Sequence, residues 1–124
     1  MTVVSSKFVL IIEDNPSINE ALAWIFENEG IRVVKANNGL EALDLLQRDP
    51  LPTVICLDIM MPLMDGQTFR HYQKSDPRIA KIPTIIMSAS LSKREKLENF
   101  KNEIFLTKPL NIENLFAIVK PHFN

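Results

Sequence analysis

The sequence predicts an α/β fold: a doubly wound sheet of five parallel strands in the order 2-1-3-4-5, with five helices covering both faces. Three observations carry this. Short apolar runs without alternation, at 8–12 and 54–57, read as strands buried on both sides. Segments with helical spacing separate the strands, so the two element types alternate five times, which makes right-handed parallel βαβ units. The 124 residues suit one domain with one core, spanning 1–124. For a sheet of this size the expected order reverses beside the first strand.

Residues 8–12 form the first strand, which ends in Glu13 and Asp14. Asn15-Pro16 opens the first helix, with Pro16 suited to the first helical position. Ile18, Ala21, Leu22, Ile25 and Phe26 recur at helical spacing as its core-facing stripe, and Gly30 stops it. Trp24 falls off that stripe, either as a surface aromatic or as an anchor for a partner. Residues 31–35 make a second strand. Asn38-Gly39 then begins a helix that turns Ala42, Leu43 and Leu46 inward and ends before Pro50 and Pro52. The third strand, 54–57, runs into Asp58, and Pro62 with Asp65-Gly66 marks a turn. A helix is expected from 66 to 74, although Arg70 and Gln73 stand where a packed helix would carry aliphatic side chains. Residues 83–87 form a fourth strand leading to Ser88-Ala89-Ser90. The highly charged stretch 91–100 predicts a weakly packed fourth helix that can shift. A fifth strand at 103–106 precedes Thr107-Lys108-Pro109. Asn111 caps a last helix with the stripe Ile112, Leu115, Phe116 and Val119, cut off by Pro121.

Composition narrows the function classes. With 46% apolar and 23% charged residues the chain is globular, and a net charge of −1 gives no general attraction to nucleic acid or anionic membrane. Its apolar runs are strand-sized, and its first residues lack a signal-peptide pattern. Cys56, the lone cysteine, reads as a small buried hydrophobe in a reducing, cytoplasmic setting rather than a reactive thiol. Two histidines and one cysteine offer no zinc-ligand spacing.

In an open parallel sheet, ligands bind at the carboxyl ends of the strands. The expected order sets the ends of strands one and three side by side, so Glu13, Asp14 and Asp58 converge. Read alone, Asp58 is either a ligand-facing carboxylate or a loop cap. Three close carboxylates need neutralising. Mg²⁺ would do so through oxygen ligands, and Lys108 would do so from the end of strand five. Ser88 adds a hydroxyl donor. Acids, a lysine and a hydroxyl at one edge form a phosphoryl-binding constellation, and an aspartate can take phosphate covalently onto its side chain.

The motifs E-D-N at 13–15, D-I-M-M-P-L-M-D-G at 58–66, I-I-M-S-A at 85–89 and T-K-P-L at 107–110 resemble the receiver domain of two-component response regulators. The resemblance covers nearly the whole chain and implies a flavodoxin-like, CheY-like fold. It implies that Asp58 is the phospho-acceptor, with Ser88 and Lys108 completing the catalytic set. It implies Mg²⁺ as cofactor, held by Glu13, Asp14, Asp58 and the backbone carbonyl of Met60. Ser88 and Phe105 would form the switch, and Pro109 would follow a cis peptide bond. Phe105 also reads as an ordinary strand aromatic packed under the fourth helix. Phosphorylation would draw Ser88 inward, let Phe105 turn in, and re-present the fourth helix, fifth strand and fifth helix to a target.

There are departures from the family pattern. The stretch between Ser88 and Lys108 is short and lacks the Gly-Ala pair usual before strand five. Met60 and Ser90 occupy positions that tune dephosphorylation in the family. A thioether cannot orient an attacking water, so slow loss of phosphate is expected.

The expected function is therefore a non-enzymatic phospho-acceptor, with at most self-phosphorylation and slow self-dephosphorylation. It would be charged by a histidine kinase or a histidine phosphotransfer protein and would act on an unidentified target protein, without direct nucleic-acid or membrane binding. Because the chain ends just after the fifth helix, a stand-alone receiver is expected. The alternatives are a phosphorelay intermediate, a fragment of a longer regulator, an aspartyl-phosphate hydrolase and a pseudo-receiver. The hydrolase would need a second acid where Met60 stands, and the intact acids, Ser88 and Lys108 argue against the pseudo-receiver. Kinase docking is implied around Ile18, Ala21 and the Pro109-Leu110 loop, with Trp24 nearby.

Overall fold

The computed structural model describes residues 7–59, 64–88 and 104–123. One sheet holds five parallel strands: β1 (Val9–Ile12), β2 (Val33–Ala36), β3 (Val54–Asp58), β4 (Thr84–Ser88) and β5 (Ile104–Thr107). Their order is β2-β1-β3-β4-β5, as expected from the sequence. The helices among the described residues are α1 (Pro16–Asn28), α2 (Gly39–Leu45), α3 (Gly66–Ser75) and α4 (Ile112–Val119), the last continued by a 3-10 turn over Lys120–Phe123. The helix α4 is the one expected as fifth. The helix expected over 91–100 lies outside the described residues, as do Met60, Pro62, Ala89 and Ser90.

The central strands β1, β3 and β4 are buried along their whole length, which is why their sequences show no alternation. Side chains still alternate between faces, and this splits the core into two layers. Leu10, Ile12, Ile55, Leu57 and Ile86 pack with Ala42 and Leu46 of the α2 segment and Phe69 of α3. On the other face Val9, Ile11, Val54, Cys56, Ile85 and Met87 pack with Leu22, Ala23 and Phe26 of α1 and with Leu115 and Val119 of α4. Each fully buried aliphatic or phenyl side chain contributes roughly 1.5–3 kcal/mol. The two layers therefore hold the sheet ends that carry the site.

Among the described residues, every α-helix start is capped by a side chain. The Asn15 Oδ1 accepts the N–H groups of Ser17 and Ile18 at 3.0 and 3.2 Å. Asn38 accepts from Glu41 at 2.8 Å, Asp65 from Thr68 at 2.7 Å, and Asn111 from Asn114 at 3.0 Å. Each bond satisfies a donor that the helix itself leaves open. At the end of α1, Gly30 takes φ +80°, and the N–H groups of Gly30 and Ile31 return to Glu27 O and Phe26 O, both at 3.0 Å. This closure uses the N–H of Ile31, and β2 begins only at Val33 rather than at Ile31 as expected.

Two sequence expectations need correction. The fully buried face of α1 is Asn19, Leu22, Ala23 and Phe26, whereas Ala21 is exposed and Ile18 and Ile25 are half-buried. The helix is rotated relative to the expected stripe because Ile18, Ala21 and Ile25 face a surface groove. In α3, Arg70 and Gln73 are not a flaw in the packing, since both are buried. Gln73 Nε2 donates to Ile79 O at 3.1 Å and to Thr84 Oγ1 at 3.2 Å, so an amide ties α3 to the following loop where an aliphatic could not.

Candidate phosphoryl and metal site

In the ladder between β1 and β3, Ile11 pairs with Cys56 and Ile12 with Leu57, so Glu13 and Asp58 emerge side by side. Both continue the alternation of Ile11 and Cys56 and point to the face covered by α1 and α4. Lys108, two residues after Leu106, reaches the same face from β5. Its Nζ lies 2.7 Å from Glu13 Oε1 and 3.4 Å from Asp58 Oδ2. Carboxylate oxygens of Glu13, Asp14 and Asp58 all lie within 4.8 Å of one another. Glu13 and Asp58 are only 1% and 3% exposed, while Asp14 is half-buried at the rim.

Burial by itself would raise the Glu13 pKa. Hydrogen bonding with Asp58, the hydrogen bond and charge of Lys108, and the Asn15 N–H at 3.3 Å outweigh that and hold the carboxyl below its ordinary range. For Lys108, partial burial would lower the pKa, but the hydrogen bond to Glu13 and the charges of Asp58 and Glu13 raise it. The ammonium therefore stays protonated, facing Glu13 and Asp58. Hard oxygen donors in excess of one fixed cation, with one donor open at the rim, are a donor set that fits Mg²⁺.

Two further residues shape this edge. Gly66, the first residue of α3, donates its N–H to Ile59 O at 2.8 Å. A Cβ there would stand 2.6 Å from Ile59 Cα and 2.8 Å from Asp58 O, so only glycine lets α3 start against the exit of β3. Asn19 is 1% exposed, and its Nδ2 donates to Glu13 O and to Ala36 O, both at 3.0 Å. Asn19 is a site residue that no sequence motif singles out. The available signal was its spacing, since 19, 22, 23 and 26 share one helix face and Asn19 is the polar member.

Ser88 is buried at the end of β4, and its carbonyl accepts the Lys108 N–H at 2.7 Å. Alternation from Ile86 places the Ser88 side chain on the α2–α3 face, the face against which Phe105 packs. Glu13, Asp14, Asp58 and Lys108 thus converge, while alternation sets Ser88 and Phe105 on the opposite face of the sheet, where Ser88 pairs with Thr107 and Phe105 with Ile86. The Lys108–Pro109 peptide is cis, as is Asp49–Pro50. Beside the site runs an apolar groove of about 530 Å³, with Ile18, Ala21, Leu22 and Ile25 on one wall and Lys108, Pro109, Leu110 and Ile112 on the other. Trp24, 66% exposed, stands on the flank of α1 next to it. Among the described residues, no helix is long and apolar enough to cross a membrane.

Buried acids at the switch point between β1 and β3, reached by a lysine from β5, stand where open doubly wound α/β sheets bind their ligands. A family model for the response regulator receiver domain matches residues 9–120, and the chain belongs to that family. Response regulator Rre1 of Synechocystis is 31% identical over 90% of this chain, and the chain spans about half of its length (49%). The polar-differentiation response regulator DivK of Brucella anthropi is 30% identical over 94% of this chain and 95% of its own. Among solved structures, the response regulator TrrA of Thermotoga maritima, in complex with Mg²⁺-BeF, is 26% identical with a TM-score of 0.81. That match covers 94% of this chain and 98% of TrrA.

Proposed function

We propose that residues 1–124 form a single receiver domain that accepts a phosphoryl group on Asp58 from a histidine kinase or a histidine phosphotransfer protein. The observation that carries this is the meeting of buried Asp58 with Glu13, Asp14 and Lys108 at one edge of the sheet. Glu13, Asp14 and Asp58, with the Met60 carbonyl, would hold Mg²⁺, which supplies positive charge against the phosphoryl oxygens. The Mg²⁺-BeF complex of TrrA supports this assignment.

The chain's own groups divide the work. An Asp58 carboxylate oxygen attacks phosphorus, an O–P bond forms, and the N–P bond of the donor phosphohistidine breaks as the imidazole leaves with the electron pair. Lys108 holds its proton throughout and offers N–H donors to the transferred group, exchanging part of its contact with Glu13. The Ser88 hydroxyl donates to a second phosphoryl oxygen once it is drawn in. Phe105 then follows from the same face and alters the surface offered to a target protein. The product is a signalling state rather than a released molecule, so the domain is a phospho-acceptor switch and not an enzyme in the ordinary sense. The groove walled by Ile18, Ala21, Leu22 and Ile25 is where the phosphoryl donor would dock, close to Lys108. A cytoplasmic setting goes with this role and with the buried, unpaired thiol of Cys56. Relatives of both lengths, DivK and Rre1, make a lone receiver and a receiver within a longer regulator equally accessible settings.

Fluorine NMR with Mg²⁺ and beryllofluoride tests the assignment directly. A bound resonance should appear for the wild type and be absent for Asp58→Asn. The same bound resonance in both would place the acceptor elsewhere.

A further inference from the structure

We propose that Asn19 is a positioning residue for the acidic site: its amide fixes the Glu13 peptide and through it sets the approach of the Glu13 carboxylate to Asp14, Asp58 and a bound divalent cation. The last ladder pair between β1 and β2 is Ile12 with Ala36, so Glu13 lies just past the regular pairing. Its N–H still reaches Ala36 O at 3.1 Å. The Asn19 Nδ2 protons are then divided between Glu13 O and Ala36 O, each at 3.0 Å. The Glu13 peptide is thereby held at both its N–H and its C=O, and both holds refer to the same Ala36 carbonyl.

Asn19 is itself fixed. Its N–H bonds to Asn15 O at 2.9 Å one turn earlier, and Asn15 donates its own N–H to Glu13 Oε2 at 3.3 Å. Backbone and carboxylate of Glu13 are thus both referred to the first turn of α1. Among the described residues the buried Asn19 Oδ1 has no hydrogen-bond donor, so it is the two Nδ2 bonds that tie the amide to its surroundings. An apolar side chain, like the Leu22, Ala23 and Phe26 that share its face, would supply neither donor. The two donated bonds are what the position provides. Groups that orient a metal ligand without touching the metal change affinity about 10–100-fold when removed.

This inference rests on the assignment of Glu13, Asp14 and Asp58 as Mg²⁺ ligands, and calorimetric titration with Mg²⁺ separates the two. Wild type, Asn19→Ala and Val119→Ala are compared at a temperature where all are folded. Val119 is a buried core residue of α4 that reports simple loss of packing. Asn19→Ala should weaken Mg²⁺ binding about tenfold or more, while Val119→Ala should bind like wild type even though it denatures earlier. If the wild type binds no Mg²⁺, the site assignment falls and this inference with it. If the wild type binds and Asn19→Ala binds equally well, only the role of Asn19 is overturned. Should Asn19→Ala fail to fold, NMR of the wild-type side-chain amides decides. The Asn19 NH₂ resonances should shift with the same Mg²⁺ dependence as the Glu13 backbone amide. Resonances that stay still while Glu13 moves would overturn the proposal.

Discussion

Lys108 lies between two buried carboxylates, 2.7 Å from Glu13 and 3.4 Å from Asp58, and is itself only partly covered. Removing it leaves Glu13 and Asp58 facing each other without a fixed cation. Lys108→Ala should therefore lower stability by roughly 2–3 kcal/mol in the absence of Mg²⁺, the lower part of what an orphaned buried charge costs, because Lys108 is not fully buried. Mg²⁺ should restore more stability to this variant than to the wild type, as read from urea midpoints with and without the ion. Equal recovery would mean that Lys108 and the cation do not share the same negative charge. Cys56 makes a contrasting case. Full burial pushes its thiol up to about 12, so it should resist alkylation in the folded protein at mildly alkaline pH and react only on unfolding. Rapid labelling of the native state would contradict the packing described. At this scale Glu13, Asp14 and Asp58 were legible from the sequence because they stand at the ends of plainly apolar strand runs, and Lys108 because it follows the short run of the fifth strand. Asn19 was not, because its partners are backbone carbonyls, and no side-chain motif announces a backbone partner.

At the scale of elements, two glycines do different work. Gly30 ends α1 at φ +80°, with nothing near the position of a Cβ. Gly30→Ala should cost about 1–2 kcal/mol from backbone strain alone and leave phosphorylation of Asp58 unchanged. Gly66 packs against the backbone of Asp58 and Ile59, so Gly66→Ala should cost roughly 1–3 kcal/mol and also slow phosphorylation by shifting the exit of β3. Urea unfolding alongside labelling from acetyl phosphate distinguishes the two, and unchanged labelling in Gly66→Ala would detach that glycine from the site. Element order and strand order followed from the sequence because alternation of strand and helix leaves few topologies. The helix faces were harder. In α1 the spacing of Ile18, Ala21 and Ile25 equally describes a groove wall and a core stripe, and periodicity cannot distinguish a neighbour from a cleft. In α3 polarity misled, since the burial of Gln73 depends on Ile79 and Thr84, which reach it only through tertiary contact.

For the whole molecule, the charged site links stability to pH. The folded-state pKa of Glu13 is depressed, so its contribution is present above its unfolded value and is lost as the pH falls through the folded one. The pKa of Lys108 is raised, so its contribution is complete below its unfolded value and is lost as the pH rises through the folded one. The unfolding free energy should therefore fall on the acid side, and Glu13→Gln should flatten that fall. An acid limb unchanged in the variant would show that Glu13 is not the group responsible. The same two residues, on strands at separate places in the sheet, define the edge at which Asp58 is reached.

The most direct measurement is intact mass after incubation with acetyl phosphate and Mg²⁺. Wild type should gain one phosphoryl group, Asp58→Asn should gain none, and omission of Mg²⁺ should abolish the gain. Equal modification of wild type and Asp58→Asn, or none of the wild type, would contradict the assignment of Asp58 as the acceptor.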